Sequence, residues 1–104
     1  MLKLCFYVPT SHLEVTKQAV FAAGAGRQGN YEQCCFQSQG TGQFRPLAGS
    51  SPFIGQQDEL EQVDEWRVEL LCPEEKRASV LAALRQAHPY EEPAIDLWAL
   101  LPSA

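Results

Sequence analysis

The chain passes twice from a two-residue apolar alternation directly into a helical pattern. That ordering restricts the available folds more than any other feature. Leu2, Leu4, Phe6 and Val8 alternate with Lys3, Cys5 and Tyr7, which predicts a strand with one buried face, ended by Pro9. Ser11-His12-Leu13-Glu14 reads as a capping box, with Ser11 as N-cap and Glu14 three residues on, and predicts a helix to about Ala23. Leu13, Thr16, Ala19, Val20 and Ala23 share its inner side, and Gly24 and Gly26 supply the stop. The second passage starts with Glu65 to Cys72, where Trp66, Val68 and Leu70 face one way. Pro73 followed by Glu74 and Glu75 suits a helix start, and Val80, Leu81, Leu84 and Ala87 form the stripe that this helix should bury.

Between these units, Tyr31 to Ser38 is expected to be a strand carrying Cys34 and Phe36 on one face. Gly40-Thr41-Gly42 should open a long excursion, extended at Gln43–Leu47 and punctuated from Gly49 to Gly55. Phe44, Phe53 and Ile54 make this loop too apolar for a solvated linker, so it should pack on its own body, another subunit or a ligand. The acidic stretch Asp58 to Asp64 reads as a solvated segment. Ala25–Asn30 is rich in glycine but follows a helix instead of opening one. It is therefore a structural turn with Arg27 exposed, and not a phosphate loop. Ala94 to Leu101 is the last expected strand. The resulting order is the split β-α-β-β-α-β pattern. The predicted fold is α+β, a ferredoxin-like sandwich with an antiparallel sheet and two helices on one face, forming a single domain over residues 1–104.

The net charge of −5 disfavours a phosphate backbone as partner, so no nucleic-acid role is expected. No run approaches the roughly 18 apolar residues of a membrane span. The chain begins in its first strand without a cleavable signal pattern, so a cytoplasmic protein is expected. Cys5, Cys34, Cys35 and Cys72 lack a Cys-x-x-Cys spacing and read as buried structural thiols, with a zinc site at Cys34 or Cys35 as the weaker alternative.

In this topology strand one ends, helix one begins, the middle hairpin turns, helix two ends and strand four begins at one end of the domain. That end gathers His12, the Gly40–Gly55 excursion and His88-Pro89-Tyr90-Glu91-Glu92-Pro93, and so both histidines. The two prolines stiffen this last segment. His12, His88 and Glu91 are the candidate ligands for a divalent metal ion, with the two imidazoles expected within about 10 Å of each other. Tyr90, Phe44 and Glu92 are the candidate contacts for a small ligand. In an extended segment Glu91 and Glu92 would point to opposite sides, so at most one should face a pocket. The alternative is a rigid connector with solvated carboxylates.

Gly24-Ala25-Gly26, Gly29-Asn30-Tyr31, Cys34, Phe36, Gly42-x-Phe44-x-Pro46, Gly49-x-x-Pro52-x-Ile54-Gly55 and His88–Ala94 closely resemble the YqfO-type insert of bacterial Nif-three-like proteins. The resemblance covers nearly the whole chain. It implies a fold like the trimeric CutA and PII signalling proteins, a long loop between the second and third strands, and a homo-oligomer, trimer or dimer. The dinuclear metal site of Nif-three-like proteins lies in a separate body whose histidine motifs this chain lacks. The hydrolase-like activity suggested for that body is therefore not carried over. The expected function is a non-enzymatic oligomeric module that binds a metal or small ligand. The alternatives are a purely structural oligomerisation domain, or a small hydrolase-like enzyme with Glu91 or Glu92 as base and a histidine as acid.

Overall fold

A computed structural model describes residues 1–103 of the chain. The elements are β1 (Leu2–Pro9), a 3-10 turn (Thr10–His12), α1 (Leu13–Ala22), β2 (Phe36–Phe44), β3 (Glu61–Cys72), a second 3-10 turn (Glu74–Lys76), α2 (Arg77–Ala87) and β4 (Ile95–Ala99). The four strands form one sheet in the order β2-β3-β1-β4 with every pairing antiparallel, the ferredoxin-like arrangement predicted from the element order.

Register explains the core. Leu2, Leu4, Phe6 and Val8 lie opposite Cys72, Leu70, Val68 and Trp66 of β3, so the two alternations share one face. The helices cover that face with Leu13, Val20 and Phe21 from α1 and Val80 and Leu84 from α2. Phe6, Leu4, Val8, Val68, Val80 and Leu84 are fully shielded, each worth roughly 1.5–3 kcal/mol of transfer free energy. Among the described residues no helix covers the other sheet face, which exposes Phe36 and Trp98. No helix among the described residues is long and apolar enough to cross a membrane.

Three local expectations are corrected. The second strand is Phe36–Phe44 instead of Tyr31–Ser38, so Cys34 and Cys35 precede it and Phe36 is exposed. Gln33 adopts a positive φ of 59° just upstream, and Gly40 and Gly42 pair with Glu65 and Val63 within the ladder instead of opening the loop. The acidic stretch is largely exposed, as expected, although its residues Glu61–Asp64 belong to β3 beyond the end of β1, where only β2 pairs with it. The capping box does not form. A 3-10 turn intervenes, His12 takes the N-cap position without a side-chain cap, and the Ser11 hydroxyl is spent on His12 Nδ1 at 2.8 Å. All four cysteines are free, Cys5 and Cys72 buried and Cys34 and Cys35 half-buried.

Candidate functional site

The loop between β2 and β3 folds back over the end of the sheet. Its base is closed by the Asp58 N–H donating to the Pro46 carbonyl at 2.7 Å, and an internal turn by the Ser50 N–H donating to Leu47 O at 3.1 Å. Gly49 and Gly55 reverse the chain with φ of 92° and 91°, a conformation that glycine adopts without steric cost. Thus folded, the loop and the segment after α2 form the sides of an open cavity of about 420 Å³. The walls are mostly apolar, with Phe44, Pro46, Leu47, Pro52, Phe53, Ile54, Tyr90 and Ala94 among them, and Glu65, Glu91, Glu92 and Arg45 are the charged side chains on it.

Three aromatic rings define the cavity. Phe44 and Tyr90 have centroids 6.0 Å apart, and Phe53 and Tyr90 6.4 Å, both pairs tilted. Tyr90 is held by its phenol, which donates to Glu65 Oε2 at 2.8 Å. Burial first, and then this bond to a carboxylate, push the phenol well above its ordinary pKa, so it stays protonated and remains a donor. Gly42 makes room for the partner: a Cβ there would collide with the Glu65 carboxylate. Arg45 is turned to Asp58, with Nε donating to the Asp58 carbonyl at 3.1 Å and Nη2 3.6 Å from Oδ1.

His88 and His12 support this cavity from behind and are not among the side chains lining it. His88 follows α2 and is buried. Its Nε2 lies 2.6 Å from the Tyr7 carbonyl oxygen, and its Nδ1 lies 3.1 Å from the Tyr90 backbone N–H. A carbonyl only accepts and a backbone N–H only donates, so Nε2 carries the proton and Nδ1 the lone pair. Burial lowers the pKa of this imidazole, and the nearby charge of His12 works in the same direction. The hydrogen bond to Tyr7 and the Glu65 carboxylate oppose this without reversing it. His12 stacks edge-on against Phe53, with centroids 5.3 Å apart and planes at 82°.

The fold therefore brings all six sequence candidates to one end of the domain. Phe44, Tyr90, Glu91 and Glu92 line the cavity. Both adjacent glutamates do so, against the expectation of one, because the chain bends at Glu91 and Glu92 and is not a flat strand. Glu91 Oε2 accepts the Ser51 N–H at 2.9 Å, tying the loop to the segment after α2. The metal set of His12, His88 and Glu91 is not assembled: both nitrogens of His88 are occupied, and among the described residues no three His, Cys, Asp or Glu side chains are grouped to hold a metal. Glu65 and Phe53 were not singled out as site residues from sequence. The signal for Glu65 was its place opposite a glycine-containing strand, which becomes visible only once the register is known.

No family model matches the chain. A "GTP cyclohydrolase 1 type 2 homolog" from Mycobacterium tuberculosis (strain ATCC 25618 / H37Rv) is 51% identical over 100 residues, covering 96% of this chain but 26% of that protein. The chain thus spans about a quarter of the length of the curated relatives it matches. A solved Bacillus cereus protein related to NIF3 superposes with a TM-score of 0.81 at 40% identity, over 95% of this chain and 25% of that one. The periplasmic divalent cation tolerance protein CutA from Archaeoglobus fulgidus superposes with a TM-score of 0.70 at 15% identity, over 100% of this chain and 88% of that one, a likeness of fold alone. These are the likenesses that the ordered glycines and prolines and the HPYEEP segment indicated.

Proposed function

We propose that this chain, similar to one quarter of the NIF3-related proteins and folded like CutA, is a non-enzymatic module that binds a small molecule at the cavity between the β2–β3 loop and the segment after α2. The observation that carries the reading is the cavity itself: about 420 Å³, walled by apolar and aromatic side chains, with a few polar groups already oriented by Ser51 and Tyr90. An enzymatic reading has less support, because it would rest on Glu92 and His12 Nε2 alone. His88 has both nitrogens engaged, and His12 Nδ1 is bonded to Ser11. A divalent metal, the other occupant considered, would have to use His12 and Glu91 without His88.

An NMR screen of small molecules and of Zn²⁺ and Cu²⁺ against the intact chain tests this. Binders should shift the amides of Phe44, Tyr90 and Glu91, and Gly42→Ala should weaken binding about tenfold by displacing the Glu65 carboxylate that holds Tyr90. The same substitution should cost under about 1 kcal/mol of stability, because the displaced atoms are the end of a flexible side chain. A screen in which no compound moves these amides would overturn the reading. Metal-induced shifts centred on His12 and Glu91 would favour the metal occupant instead.

The module is further proposed to be a homo-oligomer, trimer or dimer. The β2–β3 loop leaves Leu47 and Phe53 exposed, and the helix-free sheet face exposes Phe36 and Trp98, so both surfaces offer apolar side chains to a second copy. Light scattering at tens of micromolar should give a multiple of the 11.6 kDa subunit mass, and Trp98→Glu should reduce it. A monomeric mass for the unaltered chain would end this part of the proposal.

A further inference from the structure

We infer that the occupant of this cavity is an organic cation, an alkylated or primary ammonium group carried on a small apolar body. The inference rests on the cavity being a ligand site and adds the charge class. Three observations carry it.

Phe44 and Phe53 each pack tilted against Tyr90, with centroids 6.0 and 6.4 Å apart, so three adjoining aromatic rings line the cavity and an ammonium group there can contact more than one of them. The phenol of Tyr90 is kept neutral, and its ring is fixed by Glu65, so this wall is preorganised. The charge on the lining is then one-sided. Glu65, Glu91 and Glu92 contribute three carboxylates, whereas the single cation, Arg45, is held on Asp58. Glu65 and Glu91 each commit Oε2, to Tyr90 and to Ser51, and Glu65 Oε1 packs against Gly42, so Glu91 Oε1 and the Glu92 carboxylate are the oxygens left to meet a cation.

Size and wall chemistry exclude a bare inorganic ion as the natural fit. A cavity of about 420 Å³ is many times the roughly 30 Å³ that one water occupies, and a hard cation needs six or more oxygen ligands. Aromatic rings cannot replace that shell, but they do suit the weakly hydrated surface of an alkylammonium. An anionic ligand would meet three carboxylates. A neutral apolar ligand would fill the walls but make no use of the carboxylates on them.

The test compares choline with 3,3-dimethylbutan-1-ol, which has the same shape without the charge. Each is titrated into the ¹⁵N-labelled chain while the Phe44, Tyr90 and Glu91 amides are followed. Benzyltrimethylammonium serves as a larger cationic probe. The expected result is saturable shifts with the cations, at least about fivefold tighter than with the neutral isostere. Binding should weaken as salt rises from about 20 to about 300 mM. Glu92→Gln should lower cation affinity several-fold and leave the isostere unchanged, while Glu74→Gln, in the 3-10 turn before α2 at the opposite end of the domain, should change neither. Isostere binding equal to or tighter than choline overturns the charge class while leaving the cavity as a ligand site. Absence of cation shifts while neutral compounds from the screen do bind has the same meaning. If compounds of every charge leave these amides unmoved, the cavity reading itself fails.

Discussion

Gly26→Ala should destabilise the chain by about 2–4 kcal/mol, whereas Gly29→Ala, three residues on in the same turn, should cost about 1 kcal/mol. Both glycines have positive φ, 79° and 57°, so both substitutions carry backbone strain. They differ in surroundings. A Cβ on Gly26 would lie 2.7 Å from Cε1 of Phe21 and 3.0 Å from the Cys34 carbonyl, while a Cβ on Gly29 would meet nothing within 4 Å. Phe21 is a core residue and cannot retreat without opening the packing of α1. The backbone of Gly26 is pinned as well, its N–H donating to Leu71 O and its carbonyl accepting from the Cys34 N–H, each at 2.8 Å. Urea unfolding of the two variants decides the matter. Equal losses would mean that strain alone governs the turn. Nucleotide binding lost on Gly29→Ala with melting unchanged would mean that the turn is a phosphate site after all.

His88→Ala should cost about 2–4 kcal/mol and should also change how stability depends on pH. The ring joins the β1 carbonyl of Tyr7 to the backbone of Tyr90, and truncation leaves both groups without their partner in a part-buried site. The pH effect follows from the lowered pKa of His88. In the unfolded chain this imidazole takes a proton near its ordinary value of 6.5, but in the folded chain it does so less readily. Its contribution is thus undiminished above pH 6.5. As pH falls below that value stability is lost, until the folded-state pKa is also passed. Protonation of Nδ1 would in addition set one donor against another at the Tyr90 N–H. His88→Ala should therefore lose less stability than the unaltered chain between about pH 7 and pH 5. Parallel stability curves for the unaltered chain and His88→Ala would rule out this role.

Local signals were strong where burial was one-sided. The alternations in β1 and from Glu65 onward in β3 were legible because helices cover one face of the sheet, so side-chain chemistry itself records the strand period. The element order then implied the topology, and with it the meeting of His12, the loop and HPYEEP at one end. β2 was misplaced because it is an edge strand with no buried face of its own. Its residues Phe36–Phe44 are strand because β3 supplies hydrogen bonds, a condition absent from their own composition.

What sequence alone determined was therefore the fold, the gathering of candidate residues and the places where glycine and proline govern the chain. Tertiary structure decided their roles. The partner that occupies His88 Nε2 is a backbone carbonyl of β1, a group that every residue carries and no sequence pattern marks. Glu65 became part of the site only because the register places it across from Gly40, with the open backbone at Gly42 leaving space for its carboxylate beneath Tyr90. The cavity exists because the loop closes on itself through Asp58 and Pro46 and is tied down through Glu91 and Ser51, contacts between residues up to 40 positions apart. Residue spacing specifies periodicity along an element. Which hydrogen-bonding groups are left free for a ligand depends on distances between elements, and those are set only when the elements pack.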